Sequence, residues 1–411
     1  MFGLVDGNTF YVSCEPAFDP RLIDKPVIVL SNNDGCAIAR SAEAKTLGIK
    51  MGEVWHLSRH NPAFRGVVAK SSNYPLYGDM SRRVFEVLSE NFARVEPYSI
   101  DEMFVDLTAF ARVDYCRRVR DQVRRVAKIP TCVGIGPTKT LAKLANKRAK
   151  GEPTGVCDFS DEETRREAFA EMPIGEIWGV GGRSAEKLNS LGIMTVQQFA
   201  AMPSASIRKL MTVTGQRTHA ELNGLSCMPL TLAPSQRQTV SVTRMFGRPV
   251  EEWEEMREAL AAYAARGAEK VRAHGLSVTA IQVFMHTNPH GDGEWYNGQR
   301  SFQIEPTSDS FSIIGQATAA GRSMWRPGLK YSKAGVMLLD LQAQMTRDLL
   351  PTTDTERSEK LMTALDGLNA RFGRGTIRPG GIRQAPAWVA RTANKSPAYT
   401  TRLSELMEVR A

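Results

Sequence analysis

Two adjacent carboxylates, Asp101 and Glu102, begin the stretch "DEMFVDLT", whose apolar residues favour a half-buried strand. Two negative charges repel each other on such a strand unless cations lie between them. A third acid, Asp6, ends the short apolar stretch "FGLVD" near the N-terminus. Carboxylates on neighbouring strands are the hard ligands that Mg²⁺ prefers, and one carboxylate bridging two ions about 3.5–4 Å apart is typical of phosphoryl transfer.

The same acids also have a purely structural interpretation. Taken alone, the pair is more typical of a turn cap, with Asp6 facing solvent at the end of a strand. Asp106 lies further along the same stretch, and its register on the strand sets it apart from the pair. We therefore predict no catalytic role for Asp106.

The elements around these acids follow a β-α-β-β-α-β order, which is the ferredoxin-like pattern. In this pattern the first strand lies beside the central hairpin, so Asp6 comes within reach of Asp101. The predicted elements are a strand over 2–6, a helix over 77–95, a hairpin over 96–108, a helix over 114–129, a strand over 131–136 and a further helix over 138–151. Residues 23–75 form an insertion with a strand over 25–31, the turn "NNDGC" and a helix over 41–48.

The second half of the chain changes in character. Residues 172–200 are predicted to form two helices around a glycine-rich turn, and residues 230–238 have the composition of a linker. Residues 239–340 repeat the β-α-β-β-α-β order, with helices over 251–274 and 309–325. Beyond Gln342 we expect loop or tail without regular elements.

The composition of the 411 residues, 42% hydrophobic and 24% charged, is that of a globular protein with several domains. The net charge of +9 favours a polyanionic partner, although the run of twelve Lys and Arg against two Asp over residues 110–150 is, alone, more typical of a solvated helix face. Six separated cysteines without CxxC spacing argue against a zinc site or a disulfide scaffold. With no apolar span or signal peptide, we expect a cytoplasmic protein.

Several stretches of the sequence resemble, in order, the palm and fingers of Y-family translesion DNA polymerases, and most closely the UmuC-type catalytic subunit of bacterial DNA polymerase V. These stretches are "FGLVDGNTFYVSCE", "PVIVLSNNDGCAIARSAEAKTLGIKMG", "SSNYPLYGDMSRRV", "YSIDEMFVDLT" and "GIGPTKTLAKLANKRAK". The resemblance extends over nearly the whole chain and includes the tail "SPAYTTR".

The resemblance implies an α+β multidomain fold shaped like a right hand. Its parts would be a ferredoxin-like palm (1–22 and 76–166), small fingers (23–75), a helix-hairpin-helix thumb (167–232), a β-α-β-β-α-β little finger (238–342) and a C-terminal tail for partner binding (343–411). The implied activity is error-prone, DNA-directed DNA synthesis past template lesions, in SOS-type DNA repair and mutagenesis. No part remains for a proofreading exonuclease.

The resemblance also assigns catalytic residues. Asp6 and Asp101 would bridge two Mg²⁺ ions (or Mn²⁺), helped by the Gly7 carbonyl, and Glu102 would complete the site of the ion that activates the primer 3′-OH. Tyr11 matches the steric gate that excludes a 2′-OH. Without the resemblance, Tyr11 is as readily a core aromatic at the end of a strand.

Further residues are implied to contact the incoming dNTP. Phe10 would lie near its sugar or base, and Lys143 would hold its triphosphate, although residues of these types are more often buried and solvated, respectively. Lys45 stands where many relatives have an Arg that grips the phosphates, so the bidentate fork is lost. Arg40 and Tyr77 are predicted to compensate.

Two sets of residues are implied to contact primer–template DNA. The turn "WGVGGRSAEKL" resembles a helix-hairpin-helix, in which backbone amides at a helix N-terminus cradle a phosphate. Its residues are Gly179, Gly181, Gly182 and Arg183, which could instead form only a tight connection. In the little finger, Arg244 is implied to contact DNA.

The implied partners are a cleaved dimeric accessory subunit, a RecA filament and the sliding clamp, on a nucleoid-associated protein. The stretch "TRDLL" fits the usual clamp motif only at Asp348, Leu349 and Leu350. Two other functions remain as alternatives. A nucleotidyl cyclase shares the ferredoxin-like core and two-metal acids but needs no thumb or little finger, and a damaged-DNA-binding protein would use only the helix-hairpin-helix.

Overall fold

The computed structural model describes residues 1–108, 112–233, 236–291, 293–343, 355–384 and 386–406. Its strands are β1 (Phe2–Gly7), β2 (Val27–Leu30), β3 (Ala37–Arg40), β4 (Val68–Ser71), β5 (Val95–Pro97), β6 (Glu102–Asp106), β7 (Thr131–Gly136), β8 (Val156–Asp158), β9 (Val240–Val250), β10 (Leu276–Thr287), β11 (Asn297–Thr307), β12 (Tyr331–Leu339) and β13 (Gln342–Ala343).

The α-helices of the described residues are α1 (Phe10–Cys14), α2 (Ala42–Thr46), α3 (Trp55–Ser58), α4 (Tyr74–Asn91), α5 (Arg112–Ala127), α6 (Lys139–Ala149), α7 (Glu162–Glu171), α8 (Gly182–Asn189), α9 (Val196–Ala200), α10 (Ser204–Leu222), α11 (Trp253–Arg272), α12 (Ser310–Met324) and α13 (Thr355–Phe372). Within the described ranges, none of these helices has both the length and the apolar character needed to cross a membrane.

The chain divides into two compact units. The first comprises Met1–Ser31, Gly35–Pro234 and Asn394–Ala411, and the second comprises Asn32–Asp34 and Ser235–Ala393. The chain thus returns to the first unit at Asn394, after the second unit ends at Ala393.

A five-stranded sheet, in the order β5-β6-β1-β7-β8, is the centre of the first unit. The central strand β1 pairs antiparallel with both β6 and β7. Helices α4 and α5 bury their apolar residues against one face, and α6 covers the other. The order β1-α4-β5-β6-α5-β7 is the predicted ferredoxin-like pattern, so that prediction is confirmed.

Helix α6 lies unusually close to β7. A Cβ atom on Gly134 would come within 2.0 Å of the backbone nitrogen of Asn146, so only glycine allows this approach. Asn146 uses the proximity to donate side-chain hydrogen bonds to the carbonyls of Leu4 and Cys132, at 3.1 and 2.9 Å. Helix α6 is thereby fixed to β1 and β7, the strands beside the acids.

The inserted residues form a separate three-stranded sheet in the order β3-β2-β4. The predicted helix there is α2, which begins after Ser41, whose side chain caps the amide of Ala44. Its chain reverses at Gly48, which has a positive φ of 83°.

The region from 172 to 200 differs from the prediction of two helices around a turn. Before the glycine-rich turn there is only a 3₁₀ turn, Ile174–Glu176, and the helices α8 and α9 both follow it. Pro173 and Gly175 explain the difference. Proline fixes the backbone φ angle and has no amide hydrogen to donate, and glycine is a poor helix former.

The second unit contains an antiparallel sheet in the order β11-β10-β12-β9, with α11 and α12 packed against it. The predicted β-α-β-β-α-β order of this region is confirmed. The expectation of no regular elements beyond Gln342 is wrong, since α13 lies there. Helix α13 buries Met362, and its Asp366 accepts two hydrogen bonds from Arg272, at 2.7 and 2.8 Å.

Candidate active site

The pairing of β1 with β6 brings the predicted acids together at one end of the sheet. Asp6 is the direct partner of Glu102 in this antiparallel register. The next amide along β1, that of Gly7, donates to the carbonyl of Asp101 at 2.8 Å. Ser99, in the turn before β6, donates its hydroxyl to a carboxylate oxygen of Asp101 at 2.6 Å. The structure thus collects Asp6, Asp101 and Glu102 at one edge.

Two lysines of the α6 region neutralise this edge. Lys143 donates to both carboxylate oxygens of Glu102, at 2.6 and 2.7 Å. Lys150, at the C-terminal end of α6, donates to Asp6 at 2.9 Å. Lys143 also lies 4.8 Å from the ring centre of Tyr98, which adds a cation–π contact. Sequence reasoning found Lys143 but missed Lys150, which is indistinguishable by sequence from the other exposed lysines nearby.

The electrostatic strain of the edge is visible at Asp6. Burial raises the pKa of its carboxyl above the usual value, Lys150 opposes this by charge and hydrogen bonding, and the neighbouring charges of Glu102 and Asp101 raise it further. An additional cation at this edge would relieve that repulsion.

The carboxylates do not form a closed metal site as they stand. In the part of the chain that the structure describes, no three His, Cys, Asp or Glu side chains converge as a ready ligand set. Lys143 and Lys150 instead occupy carboxylate oxygens of Glu102 and Asp6. The donors themselves, three carboxylates and a nearby backbone carbonyl, are of the chemical kind that Mg²⁺ and Mn²⁺ require.

Tyr11 lies on the short helix α1 directly after the Asp6 strand. Its ring stacks on that of Tyr77, with centres 4.8 Å apart, and meets the edge of Tyr74 at 5.8 Å. Burial first, then Tyr74 and the charge of Asp101, raise the pKa of the Tyr11 hydroxyl. The half-buried Tyr11 ring therefore lies within electrostatic reach of the acids.

Two residues predicted to contact the nucleotide lie in the core instead. Phe10 is 3% exposed and packs beside Gly7. Tyr77 has no exposed surface, and its hydroxyl donates to Glu15 at 2.8 Å, so it is not available to a triphosphate in this conformation. The prediction that Tyr77 compensates for the missing phosphate clamp is not supported.

The two predicted cations of the insertion differ in environment. Lys45 is exposed on α2. Arg40 is partly buried and donates to the carbonyl of Ile49 at 2.8 Å, while its Nε is buried without a hydrogen-bond partner. Their predicted contacts with phosphates stay predictions.

The glycine-rich turn has the geometry of an exposed helix start. Gly179 has a φ of 87°, a conformation that favours glycine. Gly181 and Gly182 begin α8, and a Cβ atom on either would meet no other atom within 4 Å. Arg183 is exposed beside them. The amides at this helix start are open to a ligand, and their contact with DNA stays a prediction.

In the second unit, Arg244 is exposed on β9 and belongs to a basic cluster. Burial lowers the pKa of Lys270, and nearby positive charges lower it further, which shows how closely the cations are grouped. These charges are Arg266, Arg244, Arg374 and Arg237. The predicted clamp residues Asp348, Leu349 and Leu350 lie outside the described residues.

Comparison with known proteins agrees with this arrangement of acidic edge, helical region and second mixed unit. Residues 5–147 match the impB/mucB/samB family, 162–193 the HHH motif of the IMS family, and 237–349 the C-terminal domain of the impB/mucB/samB family. Residues 359–409 match a domain of unknown function, DUF4113.

Similar proteins extend along the full chain. UmuC of Salmonella typhimurium is 43% identical, with 100% of both chains covered, and SamB of the same species is 42% identical over 99% of each. DNA polymerase IV 1 of Bacillus subtilis is 26% identical over 92% of this chain and 91% of its own. The class of protein is thus the Y-family polymerases. The chain belongs to their impB/mucB/samB family and is of the UmuC type.

Asp106, predicted to be non-catalytic, lies at the opposite end of β6 and pairs with Phe2 in the sheet. Burial acts to raise the pKa of its carboxyl, but hydrogen bonds from Thr108 and Arg94 outweigh burial and lower that pKa to about 2. Its role is therefore to stabilise the hairpin in its ionised form.

We predict that Asp106→Asn lowers the free energy of unfolding by about 1–2 kcal/mol at pH 7, from the loss of charge-assisted hydrogen bonds. Because the folded pKa is depressed, this stabilisation is present above pH 4 and disappears as the pH falls through about 2. Urea unfolding at pH 7 and at progressively lower pH measures it. A constant difference between the two proteins across that range would contradict the assignment.

Proposed function

We propose that this chain extends DNA primers past template lesions by transferring nucleotides from dNTPs at the Asp6–Asp101–Glu102 edge. As a UmuC-type member of the Y-family, the chain is a DNA-directed DNA polymerase of translesion synthesis in the SOS response. The observation that carries the chemistry is the meeting of these three acids, from two paired strands, beside the lysines of α6.

The parts of the fold suit the divisions of a right-hand polymerase. The sheet that carries the acids would be the palm, the β3-β2-β4 sheet the fingers, the helices α8 to α10 the thumb and the second unit the little finger. The exposed start of α8 and the basic cluster around Arg244 offer sequence-independent contacts to DNA phosphates, as an enzyme that copies any template requires.

Asp6, Asp101 and Glu102, with the Gly7 carbonyl, would hold two Mg²⁺ or Mn²⁺ ions, which when bound supply activation of the primer 3′-OH and charge neutralisation of the triphosphate. Lys143 and Lys150 hold the carboxylates in place before this. With those ions bound, the ammonium groups of Lys143 and Lys150 would be free to bind the phosphates of the dNTP. Lys150 joins Lys143 as a residue that binds the triphosphate.

Tyr11 would select the sugar. Its ring stacks on Tyr77 and lies on the helix that follows the Asp6 strand, so it is suited to support a deoxyribose while leaving no space for a 2′-OH. Selection of this kind depends on the ring being unable to retreat, because a displacement of about 1 Å already weakens positional discrimination.

The proposal also covers fidelity and partners. Synthesis of low fidelity, without proofreading, stays a proposal. A cleaved accessory dimer, a RecA filament and the sliding clamp stay proposed partners. The cyclase and the non-catalytic DNA-binding alternatives are not favoured, because the DNA polymerase IV relatives align over at least 91% of the chain.

The central test is primer extension on undamaged and abasic templates with Mg²⁺ or Mn²⁺. We expect the wild type to extend both, and Asp101→Asn to lose at least about a hundredfold in rate, which corresponds to a few kcal/mol of transition-state stabilisation. Asp106→Asn, five positions along the same hairpin, is the matched control and should retain activity. A wild type that extends neither template, or an active Asp101→Asn, would contradict the proposal.

A second prediction concerns the sugar. Tyr11→Ala should raise incorporation of ribonucleotides relative to deoxyribonucleotides by at least about tenfold, because removal of the ring opens space for the 2′-OH. Steady-state kcat/KM for matched dNTP and rNTP pairs measures this ratio. An unchanged ratio would exclude Tyr11 as the residue that selects the sugar.

A further inference from the structure

A buried carboxylate that catalysis does not use lies four residues after Tyr11. Glu15 caps the C-terminal end of α1 and is 1% exposed. Burial raises the pKa of its carboxyl, while hydrogen bonds from Tyr77 and Ser396, and the charge of Lys70, oppose that rise. A buried acid is costly unless its oxygens are satisfied, so these donors are essential to its position.

The donors to Glu15 connect it back to Tyr11. The Tyr77 hydroxyl donates to Glu15 Oε1 at 2.8 Å, and the ring of Tyr77 stacks under that of Tyr11 at 4.8 Å, inclined by 24°. Tyr11 lies on α1, and Glu15 is the C-cap residue directly after that helix. The stacking, the hydrogen bond and the chain of α1 thus link Tyr11, Tyr77 and Glu15 in a closed cycle. A displacement of Glu15 would therefore displace Tyr77, on which the Tyr11 ring stacks.

The other donor comes from the far end of the chain. Ser396 is 5% exposed, and its hydroxyl donates to the same Glu15 Oε1 at 3.2 Å. The Asn73 side chain donates to the Ser396 hydroxyl oxygen at 2.9 Å, which directs the hydroxyl proton toward Glu15. Asn73 is the cap residue of α4, the helix that carries Tyr77, and its carbonyl accepts from the Tyr77 amide at 3.0 Å.

Residues 394–402, here called the C-terminal strap, are bound to the first unit on both sides of Ser396. Ser71 exchanges hydrogen bonds with the backbone of Asn394, at 3.1 Å through its amide and 2.9 Å through its hydroxyl. The ring of Tyr399 stacks on Phe18, with centres 5.0 Å apart and planes within 6°. Ser396 is therefore held firmly enough to orient Glu15 rather than follow it.

We propose that Ser396 is a positioning residue for sugar selection: through Glu15 and Tyr77, the C-terminal strap holds Tyr11 against the incoming nucleotide. This inference rests on the proposed function, since it requires Tyr11 to select the sugar. It gives the strap, which lies in the DUF4113 segment, a part in choosing between dNTP and rNTP.

Removal of the Ser396 hydroxyl leaves Glu15 with one fewer donor in a buried site. The carboxyl can then rotate away from the Tyr77 hydroxyl, and the stacked Tyr11 ring gains freedom to retreat. The acids and the lysines of α6 make no part of this network, so dNTP incorporation should be affected far less than sugar selection.

The test measures kcat/KM for dNTP and rNTP with full-length Ser396→Ala and Tyr77→Phe. We expect the dNTP/rNTP ratio to fall about three- to tenfold in each, the size of one lost hydrogen bond, and kcat/KM for dNTP to stay within about twofold of wild type in Ser396→Ala. Ser396→Thr keeps the hydroxyl at a residue that lines a cavity of about 280 Å³, so this variant should keep the wild-type ratio.

The matched control is Thr401→Ala, an exposed strap residue that lines the same cavity and, among the described residues, forms hydrogen bonds only through its backbone. It should keep the wild-type ratio. When Tyr11→Ala is already present, Ser396→Ala should cause no further fall in the dNTP/rNTP ratio, because both substitutions act on the same sugar-selecting contact.

Three results would overturn the inference while leaving the polymerase assignment intact: a wild-type ratio in Ser396→Ala, an equal fall in Thr401→Ala, or an additional fall in the Tyr11→Ala background. A wild type unable to extend primers would overturn the proposed function and the inference together.

Discussion

The antiparallel pairing of β1 with β6 sets Asp6 directly opposite Glu102, with Asp101 next to it, and this concentration of negative charge governs the arrangement around it. Such a cluster persists only where cations reach it. Here Lys143 and Lys150 do so from α6, and α6 can approach only because Gly134 has no side chain. In the proposed function, metal ions and a triphosphate would share this negative charge.

Around the acids, one group of residues balances charge and another supports Tyr11. The lysines of α6 balance the charge on one side, while on the other Tyr11 is supported by Tyr77 and, through Glu15, by the C-terminal strap. In the proposed function, charge balance and sugar selection would use different residues, so each could be altered without the other. The second unit adds a separate basic surface, in which Arg244 lies among other closely grouped cations.

Much of this was predictable because it is encoded locally. The apolar stretches predicted β1, β6 and β7, and the types of Asp6, Asp101 and Glu102 predicted a metal-dependent edge.

Other features depend on contacts distant in sequence. Lys150 looks like any exposed lysine until α6 is packed, and Tyr77 looked like a phosphate ligand because nothing local reveals its bond to Glu15. The hydrogen bond from Ser396 to Glu15 spans 381 positions. Helix α13 was missed because the glycine-rich stretch that follows it, residues 373–381, suggested a tail.

The most direct measurement of the central claim is a Mn²⁺ titration followed by electron paramagnetic resonance, with the full chain, primer–template DNA and a non-hydrolysable dNTP analogue. The account predicts two bound ions in the wild type and loss of at least one in both Asp6→Asn and Glu102→Gln. Mn²⁺ binding that is the same in the wild type and in these variants would contradict it.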